Sequence, residues 1–290
     1  MRKVLILSLS LLIAAGCGGG SGSSGSASRG LLFYNLGAGD IPLRRMPTSG
    51  GHEAQVAGAT NSFVGSMTAD GTVYADMAVA GVDNIYKIRN GLATKITTGA
   101  GADYRPCVTP DGSKFVYVHA DVATGAQIIV ANGDGSGAVN VSHGTVGVGD
   151  NWYPSISMDG SKVVFMSDRD GDSEIYLVNS DGTGLTRLTN NPADDTTPAF
   201  TPDGTHIIFE SDRVGDAHEI FKMDLTGGNV TQLTSAGLDF THASYSVDGS
   251  AIFAYDSAGI VRLPADGSSF VHLLGSGVHG DVKTAGWVYP

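Results

Sequence analysis

Short apolar runs alternate with turn residues along this chain, and the alternation is periodic. From Trp152 to Asn190 four β-type runs follow one another: a Pro-led run, an apolar run after Asp-Gly, an Ile-aromatic run and a run ending in Leu-Thr. Thr197–Thr234 repeats the series in near-identical phase. Four strands in a period of roughly forty residues predict a propeller blade, a unit that buries its faces only by stacking against neighbours.

Asp-Gly turns mark the first hairpin of five such units, at Asp70, Asp111, Asp159, Asp203 and Asp248. Glycine there supplies a positive φ, and the aspartate bonds its own backbone. Two positions before each aspartate stands a hydroxyl: Thr68, Thr109, Ser157, Thr201 and Ser246. Four before stands a small residue: Ser66, Cys107, Ser155, Ala199 and Ser244. The small slot predicts a first strand packed between neighbouring blades. Ile85, Ile128, Ile175, Ile220 and Ile260 open the third strands, and Ile41 opens a sixth copy that has no first strand of its own. Thr284–Tyr289 places Ala285 and Gly286 before Trp287, as first strands elsewhere do. The expected fold is therefore all-β: a six-bladed β-propeller over residues 29–290, with four antiparallel strands per blade. The N- and C-terminal strands share one blade and so close the ring. Six copies give about 44 residues each, the length of a four-stranded blade.

Pro198 to Gly204, followed by Phe209–Arg213 and Glu219–Phe221, resembles the TolB-type propeller repeat, a WD40-like unit. Pro154 to Tyr176 matches it almost as well. Pro106–Gly112 keeps the first half, with His119-Ala120 where the repeat has Ser-Asp. The resemblance covers most of the chain from about residue 60, more weakly in the second and sixth copies, and concerns the repeat rather than TolB itself. TolB has a separate domain before its propeller, and here only a linker precedes the first strands.

The first residues read as an address rather than as fold. Arg2 and Lys3 precede an apolar run, Val4–Ala15, laid out like a secretory signal. The run closes on Ala14-Ala15-Gly16-Cys17, which resembles a bacterial lipoprotein signal. That resemblance implies a signal peptide over residues 1–16, lipid on Cys17 and a tether of Gly and Ser over 17–28. It also implies an exported protein on the periplasmic side of the outer membrane, since Gly18 rather than Asp follows the cysteine. With Cys17 acylated, Cys107 has no partner for an intramolecular disulfide. A net charge of −12 argues against nucleic acid and against anionic lipid headgroups as partners, leaving the acyl chains as the membrane anchor. The propeller is expected to be monomeric.

No G-x-S-x-G, phosphate-loop or H-E-x-x-H motif occurs, and the eight histidines are scattered. Asp168, Asp170 and Asp172 stand at alternate positions, as calcium ligands can, but Ser173 and Asn179 occupy the places where an EF-hand needs Gly and Glu. A solvated hairpin is the simpler reading, and no cofactor is expected beyond that weak Ca²⁺ option. Cys107, in a small slot, reads as a buried thiol.

Strand direction alternates, so the segments leading into the first strands gather on one face, opposite the Asp-Gly turns. They carry Asp103, Arg105, Asn151, Trp152, Tyr153, Asp195, Asp239, His242 and Asp281, the candidate binding rim of a central channel. The leading reading is an interaction module holding an envelope protein or peptide there. One alternative is a carbohydrate lyase or hydrolase using His242 and Arg105 as base and cation. Another is a glycan or small-ligand binder stacking on Trp152 and Tyr153.

Overall fold

Alternating small and large apolar positions make each first strand a two-sided packing surface, and the structure uses both sides. The computed structural model describes residues 62–143 and 149–273, together with residue 57 and four short strands nearer the N-terminus. Between Ser62 and His272 the chain forms five four-stranded antiparallel sheets, each a simple meander. Their first strands are Ser62–Met67, Ala102–Val108, Asn151–Ile156, Asp195–Phe200 and Thr241–Tyr245. These lie against one another from blade to blade and therefore surround the axis. We number the blades 1 to 5 in that order.

The fourth strands form the outer rim and are short: Leu92–Lys95 in blade 1, then Val139–Asn140, Thr186–Arg187, Thr231–Gln232 and Val271–His272. Each second strand, in the middle of its blade, carries a buried aromatic ring. These are Tyr74, Phe115, Phe165, Phe209 and Phe253. Phe165 stacks on Tyr176 and Phe209 on Phe221, each with ring centroids 5.8 Å apart. Cys107, Ser66 and Ser244 are buried as the small slot requires, and the Ser66 hydroxyl accepts the Val108 N–H of the next blade at 2.9 Å. Burial pushes the Cys107 thiol up to about 11, consistent with an inert packing role.

The hydroxyl before each Asp-Gly turn has one task in all five blades. Thr68, Thr109, Ser157, Thr201 and Ser246 each donate to the turn aspartate at 2.6 Å. In blades 2 to 5 the same oxygen accepts the N–H that opens the second strand. The glycines turn at φ between 68° and 84°. At Asp70 these bonds, the Thr68 hydroxyl foremost, lower the carboxyl to about 2.

The fold class and the four-stranded antiparallel blade are as expected, but the number is corrected: the structure shows five blades, not six. The copy before Ser62 lacks a first strand with its Asp-Gly turn, so nothing within it supplies the inner strand that the other five pack against their neighbours. Leu31–Tyr34, Arg44–Pro47 and Ala54–Gln55 form a separate sheet whose first position is taken by Leu12–Ile13, with Leu12 opposite Phe33 and Ile13 opposite Leu32. An open strand edge pairs with whatever extended segment reaches it. The expected closing strand at 284–289, Cys17 and the linker lie outside the described residues. Among the described residues no helix is long and apolar enough to cross a membrane.

Two substitutions separate packing from turn chemistry. Phe209→Ala should lower the unfolding free energy by about 3–5 kcal/mol. Thr201→Ala, which leaves the turn without its hydroxyl, should lower it by about 1 kcal/mol. Urea unfolding of both variants checks the order, which would be reversed if the turns rather than the rings held the blades.

Candidate functional site

The first strands do not run straight. In every blade the register between first and second strand shifts near the start, for example between Trp152 and Ser155 and between Thr196 and Ala199. One residue sits at this bulge in a left-handed conformation in four blades: Arg105 (φ 54°), Tyr153 (φ 55°), Thr197 (φ 45°) and His242 (φ 60°). A side chain with a Cβ takes this conformation only at a cost of about 1–3 kcal/mol, and such strain concentrates at functional sites. Proline follows three of the four, where the missing N–H already interrupts the ladder.

The bulge turns these side chains toward one another. The Arg105 guanidinium carbon lies 4.3 Å from the centre of the Tyr153 ring. The Tyr153 and His242 rings meet edge-on at 5.5 Å. Tyr153 belongs to blade 3 and His242 to blade 5, which are not neighbours, so this contact is made across the axis. Arg105 and His242 are both buried, and Arg105 Nη1 has no hydrogen-bond partner among the described residues.

The other expected rim residues take a different part. Asp103, Asn151 and Asp195 occupy one register position and are all buried. Each is held by its own blade: Asp103 by His119 Nδ1 at 2.7 Å, Asn151 by Arg169 Nη2 at 2.5 Å, and Asp195 by Arg213 Nη2 at 2.7 Å. Arg169 and Arg213 lie over the stacked ring pairs, 4.7 Å from Tyr176 and 4.9 Å from Phe221, and each Nε donates to a serine hydroxyl, Ser167 or Ser211. His119 in blade 2 thus does the work that Arg169 and Arg213 do in blades 3 and 4. Asp239 is exposed, and its carboxylate accepts the His218 N–H of the preceding blade at 3.0 Å. Asp150 and Asp194 accept Ala126 and Ser173 N–H in the same way. Trp152 is half-buried, with its ring centroid 6.4 Å from that of Tyr104 in blade 2. Asp281 lies outside the described residues.

Of the calcium candidates, Asp168 accepts the Asp150 N–H at 2.5 Å, and Asp170 pairs with the Tyr176 hydroxyl and Arg187. Asp172 is exposed. Among the described residues no group of three or more His, Cys, Asp or Glu side chains is placed to hold a metal ion.

Residues 146–282 match the family profile described as PD40, TolB beta propeller domain. Those residues, just under half of the chain, are similar to the TolB-type propeller repeat. Similar solved structures include a putative TolB from Agrobacterium tumefaciens, at TM-score 0.63 and 19% identity over 76% of this chain and 84% of that one. TolB from Acinetobacter baumannii aligns at TM-score 0.68 and 20% identity, over 83% of this chain but only 62% of its own. An oligogalacturonate lyase in complex with manganese aligns at TM-score 0.62 and 14% identity, over 84% of this chain and 74% of that one. At these identities the likeness is one of fold. No curated protein resembles the chain closely enough to count as a match.

Sequence reasoning passed over three members of the site: Thr197, Asp76 and Glu210. Asp76 and Glu210 occupy the same place in the second strands of blades 1 and 4. Both are buried. Each reaches into the bulge of the next blade, Asp76 Oδ2 accepting the Arg105 N–H at 3.2 Å and Glu210 Oε1 the Ala243 N–H at 2.6 Å. Glu210 also pairs with the Thr197 hydroxyl. The signal was an acid inside an otherwise buried apolar run, as in His206–Ser211.

Burial pushes the Glu210 carboxyl well above its ordinary 4.5; the Ala243 N–H pulls it down and Asp239 pushes it further up. The folded protein then keeps a proton that the unfolded chain releases above about pH 4.5. The resulting stability is fully present below that pH and is lost as pH rises toward the folded value. Glu210→Gln copies the protonated shape and cannot ionise. Its melting temperature should exceed that of the wild type at pH 8, with the gap closing toward pH 4.5. A gap independent of pH would refute the assignment.

Proposed function

We propose that the protein is a cell-envelope propeller whose channel mouth holds a protein or peptide partner. The observation that carries this reading is the meeting of Arg105, Tyr153 and His242 from three blades on one axis. The strands around them share one build, whereas these three differ in chemistry and are strained in backbone. No common packing role accounts for a cation, a phenol and an imidazole at one register position. Trp152 and Tyr104, next to Tyr153 and Arg105 in sequence, pack on each other and on the core and stay partly exposed, a rigid aromatic contact of the kind that anchors interfaces. The carboxylates of that face are largely engaged as backbone acceptors and in ion pairs, so the axial group rather than the acidic rim gives the mouth its character. In this reading residues 1–16 are removed, the Leu12–Ile13 strand with them, so that Leu31–Tyr34 is left with a free edge; Cys17 carries lipid, and the 17–28 tether holds the propeller on the periplasmic side of the outer membrane.

One observation favours a second reading. His242 and Arg105, a base and a cation from non-adjacent blades, both contact the Tyr153 ring. Together with the likeness in fold to an oligogalacturonate lyase, this suits proton abstraction beside a carboxylate-bearing sugar. Turnover of oligogalacturonate by the purified protein would establish it in place of the binding module.

Two experiments test the first reading. Tyr153→Asn with His242→Asn removes both rings while keeping residues that tolerate the left-handed conformation. Asp181→Ala with Asp266→Ala alters turns on the opposite face. In pull-downs from native membranes the first pair should lose partners that the second retains, with both melting near the wild type. Loss by the second pair alone would move the working surface to the other face. Separately, Cys17→Ser should abolish metabolic acyl labelling and leave the precursor poorly processed; normal labelling of this variant would remove the anchor from the scheme.

A further inference from the structure

We propose that the axial group is a carboxylate subsite, in which Arg105 receives a single carboxylate carried by a polypeptide partner. The inference rests on the mouth being the working surface and goes further by naming the chemistry recognised.

Arg105 is 5% exposed, and its Nη1 has no hydrogen-bond acceptor among the described residues. A buried guanidinium donor without an acceptor is costly, because the group has lost water and gained no replacement bond. The nearby carboxylate does not supply one: Asp76 Oδ2 takes the Arg105 backbone N–H. Tyr153 covers a face of the guanidinium at 4.3 Å. Contact with the ring gives Nη1 no acceptor oxygen, so that donor is left for a group arriving from outside. An anion reaching Nη1 gains a charge-assisted hydrogen bond, and carboxylate is the anion whose geometry arginine matches. His242 stands on the same tyrosine ring and adds a second polar group to the pocket.

The remaining charge sets the limit on the ligand. The chain is at −12, and exposed Asp239 precedes the first strand that carries His242. This field opposes a multiply charged anion and penalises a singly charged one least. A lone carboxylate, whether at a chain terminus or on an Asp or Glu side chain, fits one arginine better than a phosphate does. The strained bulge also gains a purpose. At φ 54° Arg105 leaves the strand ladder and is carried to the axis, where an ordinary strand position would bury it between blades or face it along the sheet.

The test uses the intact propeller and three blocked tripeptides, all N-acetylated, titrated by calorimetry or by NMR. One has a free C-terminal carboxylate, one a C-terminal amide, and one a C-terminal amide with an internal Asp. The free acid should bind at least about tenfold more tightly than the plain amide, as a charge-assisted hydrogen bond requires. Binding of the Asp-containing amide at the level of the free acid assigns the side-chain carboxylate as an equal source; binding of the free acid alone assigns the chain terminus. Arg105→Gln, checked for an unchanged melting temperature, should bring the free acid down to the level of the plain amide. If that variant does not fold, the comparison of acid with amide on the wild-type protein still decides. Equal binding of acid and amide, binding of neither, or undiminished binding by folded Arg105→Gln overturns the proposal. If acid and amide bind alike while the Tyr153→Asn, His242→Asn protein still loses its membrane partners, the mouth remains the working surface and only the carboxylate subsite falls.

Discussion

Each blade of this propeller finishes its polar accounts on its neighbour. The inner strands lie side by side around the axis, so most of their surface is buried between blades rather than within one. Backbone groups at the blade ends would be stranded by that burial, and the next blade supplies their partners. Ser66 takes an N–H from blade 2, Asp150 one from blade 2, Asp194 one from blade 3 and Asp239 one from blade 4. Asp76 and Glu210 do the same from the second strand, deep in the structure. Glu210 can remain there because both of its oxygens find partners and its proton is retained. Removing a blade would expose apolar surface and also leave charged groups of the next blade unpaired.

That dependence explains which features could be read from residues. Spacing revealed the Asp-Gly turns, the hydroxyl before them and the small slot, because a repeat writes the same local constraint many times. The aspartate and its hydroxyl interact within five residues, so no tertiary knowledge was needed. The acidic rim was harder. Asp103, Asp195 and Asp239 looked like a surface awaiting a basic partner, whereas His119, Arg213 and the His218 N–H satisfy them. These partners lie 16 to 21 residues away or in another blade, beyond the reach of a local pattern. The blade number went astray for a related reason. A strand pattern shows that a segment is extended, but the edge it pairs with is settled in space, and Leu12–Ile13 occupies the place expected of a distant segment.

Arg105, Tyr153 and His242 were noticed as oddities of type at the heads of the first strands, but their convergence was not visible. It depends on the bulge, which the sequence hints at only through proline at the next position in three blades. Without the left-handed residue, strand alternation would have set such side chains on the face of a blade, toward the neighbouring blade. The bulge thereby separates two demands: residues beyond it serve packing, and residues at it are free to differ. Thr197 shows the limiting case, in which the bulge residue turns to a buried glutamate of its own blade and strengthens the frame.

The outer strands carry a consequence of another kind. In blades 2 to 5 they are two residues long, so the perimeter offers little free backbone to a strand from outside. A continuous unpaired edge is the usual template for polymerisation, and four of the five perimeters have been shortened almost to nothing. Blade 1 is the exception, with four residues at Leu92–Lys95 and an exposed Leu92, though a lysine closes the segment. Among the five blades described from Ser62 to His272, only that perimeter offers more than two residues for cross-β association when copies crowd together, so solubility at high local density depends most on that edge.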